Sequence, residues 1–141
     1  MLQAASDAAR QASADLKLLA VTVLTSMNDD DLHGTGIPDR VQDQVVRLAS
    51  LALGAGCHGV VSSAQEVRLL RAKLGGDFLA ITPGVRPRGS GTGDQARVVT
   101  PSEAIASGAT HIVVGRPIIA APDPAQEAER ILQEIVTQPV A

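Results

Sequence analysis

The informative polar or glycine-rich groups of this sequence are four, and each stands directly behind a short apolar run. Thr25-Ser26 follow the run over 18–24, and Ser62-Ser63 follow 58–61. A long Gly/Pro-rich segment over 82–93 follows 78–81, and Gly115-Arg116 follow 111–114. The last pair is the sharpest signal. A glycine behind a strand lets backbone N–H groups approach an anion closely, and the adjacent guanidinium can grip phosphate with two parallel hydrogen bonds. The same tripeptide, Gly115-Arg116-Pro117, also suits a tight strand exit with a solvated arginine. The segment Thr82-Pro83-Gly84-Val85-Arg86-Pro87-Arg88-Gly89-Ser90-Gly91-Thr92-Gly93-Asp94-Gln95 brings two arginines and an Asp-Gln end to a glycine-rich loop. Such a loop can close over a ligand and exclude water, and it can equally be a plain surface connection.

Other chemistry finds less support. Asp29-Asp30-Asp31 with His33 lack the alternate spacing and glycine turn of a hard-cation loop, so the run reads as a solvated acidic approach to a helix. No His/Cys pair has zinc spacing, and no metal or organic cofactor is implied. His58 and His111 fall at strand starts, away from the expected site, and read as structural. Ser62 and Ser63 have no nearby His/Asp arrangement, and helix capping explains them. Cys57, the single cysteine, precedes a valine pair and reads as a buried thiol.

The elements that must position these groups alternate. An Ala-rich helix is expected over 1–14, then a strand over 18–24 whose nearly continuous apolar run suggests cover on both faces. A polar loop over 25–38 leads to a helix over 39–53, with Val41, Val45, Leu48, Ala49 and Ala52 on one stripe, stopped by Gly54 and Gly56. A strand at 58–61 precedes a helix ending near Leu74, where Ser63 and Glu66 have capping-box spacing. Gly75-Gly76 stop it, and a strand follows at 78–81. After the long loop come a helix over 101–106 ended by Gly108, a strand at 111–114 and a last helix over 124–136. Gly56-Cys57-His58 and Gly108-Ala109-Thr110-His111 repeat one device, a helix stop feeding a valine-rich strand.

The order is one helix and then four βα units, which implies a parallel sheet with right-handed crossovers. Four units are half of an eight-unit (β/α)8 TIM barrel, in which function sits on the loops behind the strands. An open doubly wound sheet is the competing architecture, weakened by the lack of G-x-G-x-x-G behind the first strand.

Composition sets the outer bounds. With 45% apolar residues the 141-residue chain can build a core, although Phe78 is its only aromatic. A net charge of −3 with no basic run argues against nucleic acid. A lone cysteine fits a reducing compartment. The polar N-terminus has no signal-peptide core, and no apolar run approaches the ~20 residues that span a bilayer. A soluble, cytoplasmic protein without membrane or nucleic-acid partners is expected.

Taken in order, Leu19-Ala20-Val21-Thr22-Val23-Leu24-Thr25-Ser26-Met27, Gly59-Val60-Val61-Ser62-Ser63-Ala64-Gln65-Glu66, Thr82-Pro83-Gly84-Val85-Arg86-Pro87, Gly93-Asp94-Gln95 and Val114-Gly115-Arg116-Pro117-Ile118 resemble the orotidine 5′-phosphate decarboxylases over about 15–135. The resemblance implies the C-terminal half of a TIM barrel, α/β in class, with 1–141 forming one partial domain. It implies that Thr25 belongs to the nucleotide site near the pyrimidine, that Arg86 and Gln95 belong to the closing loop, and that Gly115 and Arg116 hold the 5′-phosphate. The implied reaction removes CO2 from orotidine monophosphate to give uridine monophosphate without metal or organic cofactor.

One departure accompanies the match. The family carries an Asp-x-Lys-x-x-Asp motif whose lysine donates the proton, one of its carboxylates reaching across a dimer interface. Here the only Asp-x-Lys is Asp15-Leu16-Lys17, with Ala20 at the second Asp position and a place ahead of the first strand. No catalytic role passes to Lys17, and no catalytic residue is assigned. Truncation, a split gene or a misplaced start would each give such a chain. The partner expected is a nucleotide, with a homo-oligomer or a missing N-terminal half closing the barrel. The alternative is a catalytically inactive phosphate-binding half-barrel; a related sugar-phosphate decarboxylase or aldolase barrel fits the motifs less well.

Overall fold

The computed structural model describes residues 1–12, 15–87 and 99–137. Helix α1 (Leu2–Ala12) leads to β1 (Leu19–Val21), α2 (Asp29–Gly34) and α3 (Val41–Gly54). Then come β2 (Gly59–Val61), α4 (Ala64–Leu74), β3 (Leu79–Thr82), α5 (Pro101–Ala106), β4 (His111–Ile112), α6 (Arg116–Ile119) and α7 (Pro124–Thr137). The four strands pair in chain order, β1-β2-β3-β4, and every pairing is parallel. This is half of a (β/α)8 barrel.

The helix stops explain the strand spacing. Gly56 and Gly108 both take positive φ, 87° and 97°. Behind them the N–H of Cys57 donates to Ala52 O at 3.0 Å and that of Ala109 to Ala104 O at 3.2 Å. Both are the six-to-one bond of a Schellman stop, and in each case the two bonded residues are buried together. The repeat seen in the sequence is therefore one backbone motif used twice, each time feeding a strand.

The core lies between sheet and helices. Ala20, Val60 and Ala80 share one side of the sheet and pack with Val45, Ala49, Val67, Leu70 and Phe78. A smaller cluster joins Ala64, Val85, Ala104 and Ala109. The other side of the sheet is open at its edge strands, while Val61, Leu79 and Ile81 on the inner strands are half-buried. Leu19 and Val21 of β1 are exposed at 36% and 59%, and Val113 behind β4 at 50%. The apolar run of β1 is thus covered on one face in this chain, not on both.

Other expectations need correction. The polar segment 25–38 contains α2, whose Asn28 cap and Asp31 form a reciprocal capping box. The acidic run is its first turn, which suits the positive end of a helix. Asp29 Oδ1 also accepts from the N–H of Val41 at 2.8 Å, tying α2 to the start of α3. Ser63 caps α4 through the N–H of Gln65 at 3.3 Å, without the reciprocal box that its spacing to the buried Glu66 predicts. Gly115-Arg116-Pro117 open a short helix rather than a bare turn, with proline in the first turn, where its missing N–H costs nothing. Strands β1, β2 and β4 are shorter than expected, and β3 runs one residue further. Among the described residues no helix is long and apolar enough to cross a membrane.

Candidate anion site at the strand exits

Because all four strands point the same way, the segments behind them gather at one end of the sheet. Across it the order is Thr25, Ser62-Ser63, Arg86, then Gly115-Arg116. The topology brings these positions to one rim, with Thr25 and Arg116 behind opposite edge strands. Gln95 lies outside the described residues.

Thr25 and Arg86 are nearly buried, at 9% and 8% exposure. The Arg86 N–H donates to Val99 O at 2.9 Å, and Nη1 donates to Val85 O at 2.9 Å. A bridge between Val85 and Val99 closes the neck of the long loop. Gly84 makes the turn ahead of it at φ 76°, a conformation that side-chain-bearing residues rarely adopt. The loop is therefore pinned at its base, where, among the described residues, Arg86 is held by backbone carbonyls and its own N–H.

Gly115 and Arg116 are exposed. Gly115 is the N-cap of α6, and its carbonyl accepts from Ile118 and Ile119 at 2.9 and 3.1 Å. A Cβ placed on Gly115 would meet nothing within 4 Å. Packing among the described residues does not demand a glycine there.

The remaining candidates have structural work. His58 Nδ1 accepts from the N–H of Leu18 at 2.9 Å, at the opposite end of the sheet. His111 Nδ1 lies 3.0 Å from Thr110 Oγ1. Cys57 is buried. Among the described residues no three His, Cys, Asp or Glu side chains cluster to hold a metal. A cleft of about 360 Å³ between the starts of α2, α3 and α4 is lined by Met27, Asn28, Asp29, Arg40, Gln65 and Glu66. Its two carboxylates disfavour an anion. On α7, away from this rim, the hydrogen bond from the Arg130 guanidinium holds the Glu127 carboxyl below its ordinary range, and Glu127 in turn raises Arg130.

Sequence reasoning missed Arg71. Its Nε and Nη2 donate to Gly108 O at 3.2 and 2.8 Å, and Nη1 donates to Gly76 O and Phe78 O at 2.7 and 2.8 Å. The guanidinium also stands 4.2 Å from the centre of the Phe78 ring. It sews α4 to the approaches of β3 and β4. Nothing in the residue's local sequence marks it out.

A profile of the orotidine 5′-phosphate decarboxylase / HUMPS family matches residues 1–131. The orotidine 5′-phosphate decarboxylase of Rhodospirillum rubrum is 58% identical over 96% of this chain and 57% of its own length. That of Heliobacterium modesticaldum is 49% identical over 96% and 58%. The crystal structure of orotidine 5′-phosphate decarboxylase from Lactobacillus acidophilus superposes with a TM-score of 0.79 at 38% identity, covering 96% of this chain and 58% of that one. The chain thus spans little more than half the length of these relatives. With the parallel half-barrel and the segments at its strand exits, the match over 1–131 shows that this chain belongs to the orotidine 5′-phosphate decarboxylase / HUMPS family.

Proposed function

We propose that this chain is the C-terminal half of an orotidine 5′-phosphate decarboxylase, a single partial domain over 1–141 that binds the phosphate of orotidine or uridine monophosphate. The carrying observation is the family match across the chain, with Gly115-Arg116 at the exit of the last strand. In this reading Arg116 grips the 5′-phosphate beside the open space at Gly115, Arg86 and Gln95 serve the closing loop, and Thr25 lies towards the base. Binding energy from a phosphate can assist chemistry elsewhere on a substrate, but it does not supply a proton donor. These 141 residues contain no Asp-x-Lys-x-x-Asp. The chain alone therefore binds without decarboxylating, in the cytoplasm and without a metal or organic cofactor.

A second half-barrel is needed to complete the enzyme, and the open side of the sheet supports that reading. An apolar groove of about 290 Å³ lined by Ile112, Val114, Ile118, Ile131, Leu132 and Ile135 marks the β4 flank as a further face for a partner. The missing half, or another copy of this chain, would cover both.

Titration with uridine monophosphate tests the assignment, with uridine as the control that lacks phosphate. The monophosphate is expected to bind weakly and uridine more weakly still. Arg116→Ala should cost roughly 1.5–3 kcal/mol, the range for a hydrogen bond to a charged group. Equal binding of the two ligands, or indifference to Arg116→Ala, would remove the phosphate site.

A further inference from the structure

The register of the sheet brings three hydroxyl side chains to one level at the strand exits. Val21 pairs with Val61 and Val61 with Ile81. The ladder then runs one residue on, with Thr22 N–H donating to Val61 O at 3.2 Å and Ser62 N–H to Ile81 O at 3.1 Å. Thr22, Ser62 and Thr82 are therefore in step. Strand alternation puts them on the same side as Ala20, Val60 and Ala80, facing the helices.

Their hydroxyls fare differently. Thr22 Oγ1 donates to Val61 O at 2.9 Å. Ser62 and Thr82 are 1% and 0% exposed, and neither hydroxyl has a hydrogen-bond partner among the described residues. Adjacent strands lie about 4.8 Å apart, so side chains in step on one face are near the span that a single water bridges with two bonds of ~2.8 Å. A buried hydroxyl without a partner is costly, and groups of this kind in native proteins are met by internal water.

We propose that Ser62 Oγ and Thr82 Oγ1 hold one internal water between the exits of β2 and β3, just ahead of the segment that carries Arg86. The site requires no nucleotide, so it stands or falls apart from the phosphate assignment.

Urea denaturation of the full chain and of Ser62→Ala, Thr82→Val and the double variant distinguishes the cases by sign. If a water is bound, each single change strands the water and the other hydroxyl. The folding equilibrium constant should then fall roughly 5- to 30-fold for each. The double variant should lose less than the two singles combined, and Thr82→Ser should stay near the parent. Single variants as stable as the parent, or more so, would show that the hydroxyls are merely orphaned and overturn the proposal. Should a variant fail to fold, the parent still decides the matter. Ordered water density, or a water-to-protein NOE at Ser62 and Thr82, is expected, and its absence from a well-ordered sample overturns the site.

Discussion

Gly59 stands opposite Leu79 in the β2–β3 pairing, and a Cβ on Gly59 would lie 2.1 Å from the Leu79 carbonyl oxygen. Backbone cannot yield as a flexible side-chain tip can. Gly59→Ala should therefore destabilise the chain by about 1–3 kcal/mol or more, read as a lowered urea midpoint, whereas an unchanged midpoint would mean that the strands separate freely. A glycine inside a strand signals close backbone approach, a signal that the reading of 58–61 as a plain strand passed over. Arg71 was not legible. Its three carbonyl partners come from the stop of α4, the start of β3 and the stop of α5, so only the folded chain assembles them. The same contrast holds at the rim. Gly115 and Arg116 could be read from residue type and place, while the buried hydroxyls of Ser62 and Thr82 depend on register.

The elements that the sequence revealed best are those ended by glycine. Positive φ at Gly56, Gly75 and Gly108 marks the stops of α3, α4 and α5 where the spacing placed them. The helices it hid are short. Helix α2 spans six residues and α6 four, too few for an apolar stripe to show. Local hydrogen bonds hold α2 instead: Asn28 Oδ1 accepts from Asp31 N–H at 2.9 Å, and Asn28 N–H donates to Asp31 Oδ2 at 3.0 Å. Asn28→Ala should cost about 1 kcal/mol in chemical denaturation, the usual loss of an N-cap. A value near zero would mean that Asp29, through its bond to Val41, fixes this segment unaided. Strands β1 and β4 fell short of their apolar runs for a different reason. Each has one paired neighbour, and residue pairing ends at Val21 in β1 and at Ile112 in β4, although the Val113 N–H still donates to Thr82 O at 2.9 Å.

At the scale of the molecule, two sheet edges and an apolar face want cover. Parallel edge strands with unpaired backbone groups are templates for association. The exposed Leu19, Val21 and Val113 extend that surface across the sheet. Purified at micromolar concentration, the chain should scatter light as a species larger than a monomer and shrink towards one in mild denaturant. A clean monomer would show that 141 residues satisfy themselves.

Strand order in space equals strand order in the chain, and that has a consequence for how such a protein can be divided. Each strand pairs with the next one in the chain, so a cut between two units parts one strand pair and leaves the other pairings intact. Units can be gained or lost from either end as beads are from a string. A stretch matching little more than half the length of its relatives can thus keep a continuous parallel sheet with its strand-exit segments on one rim.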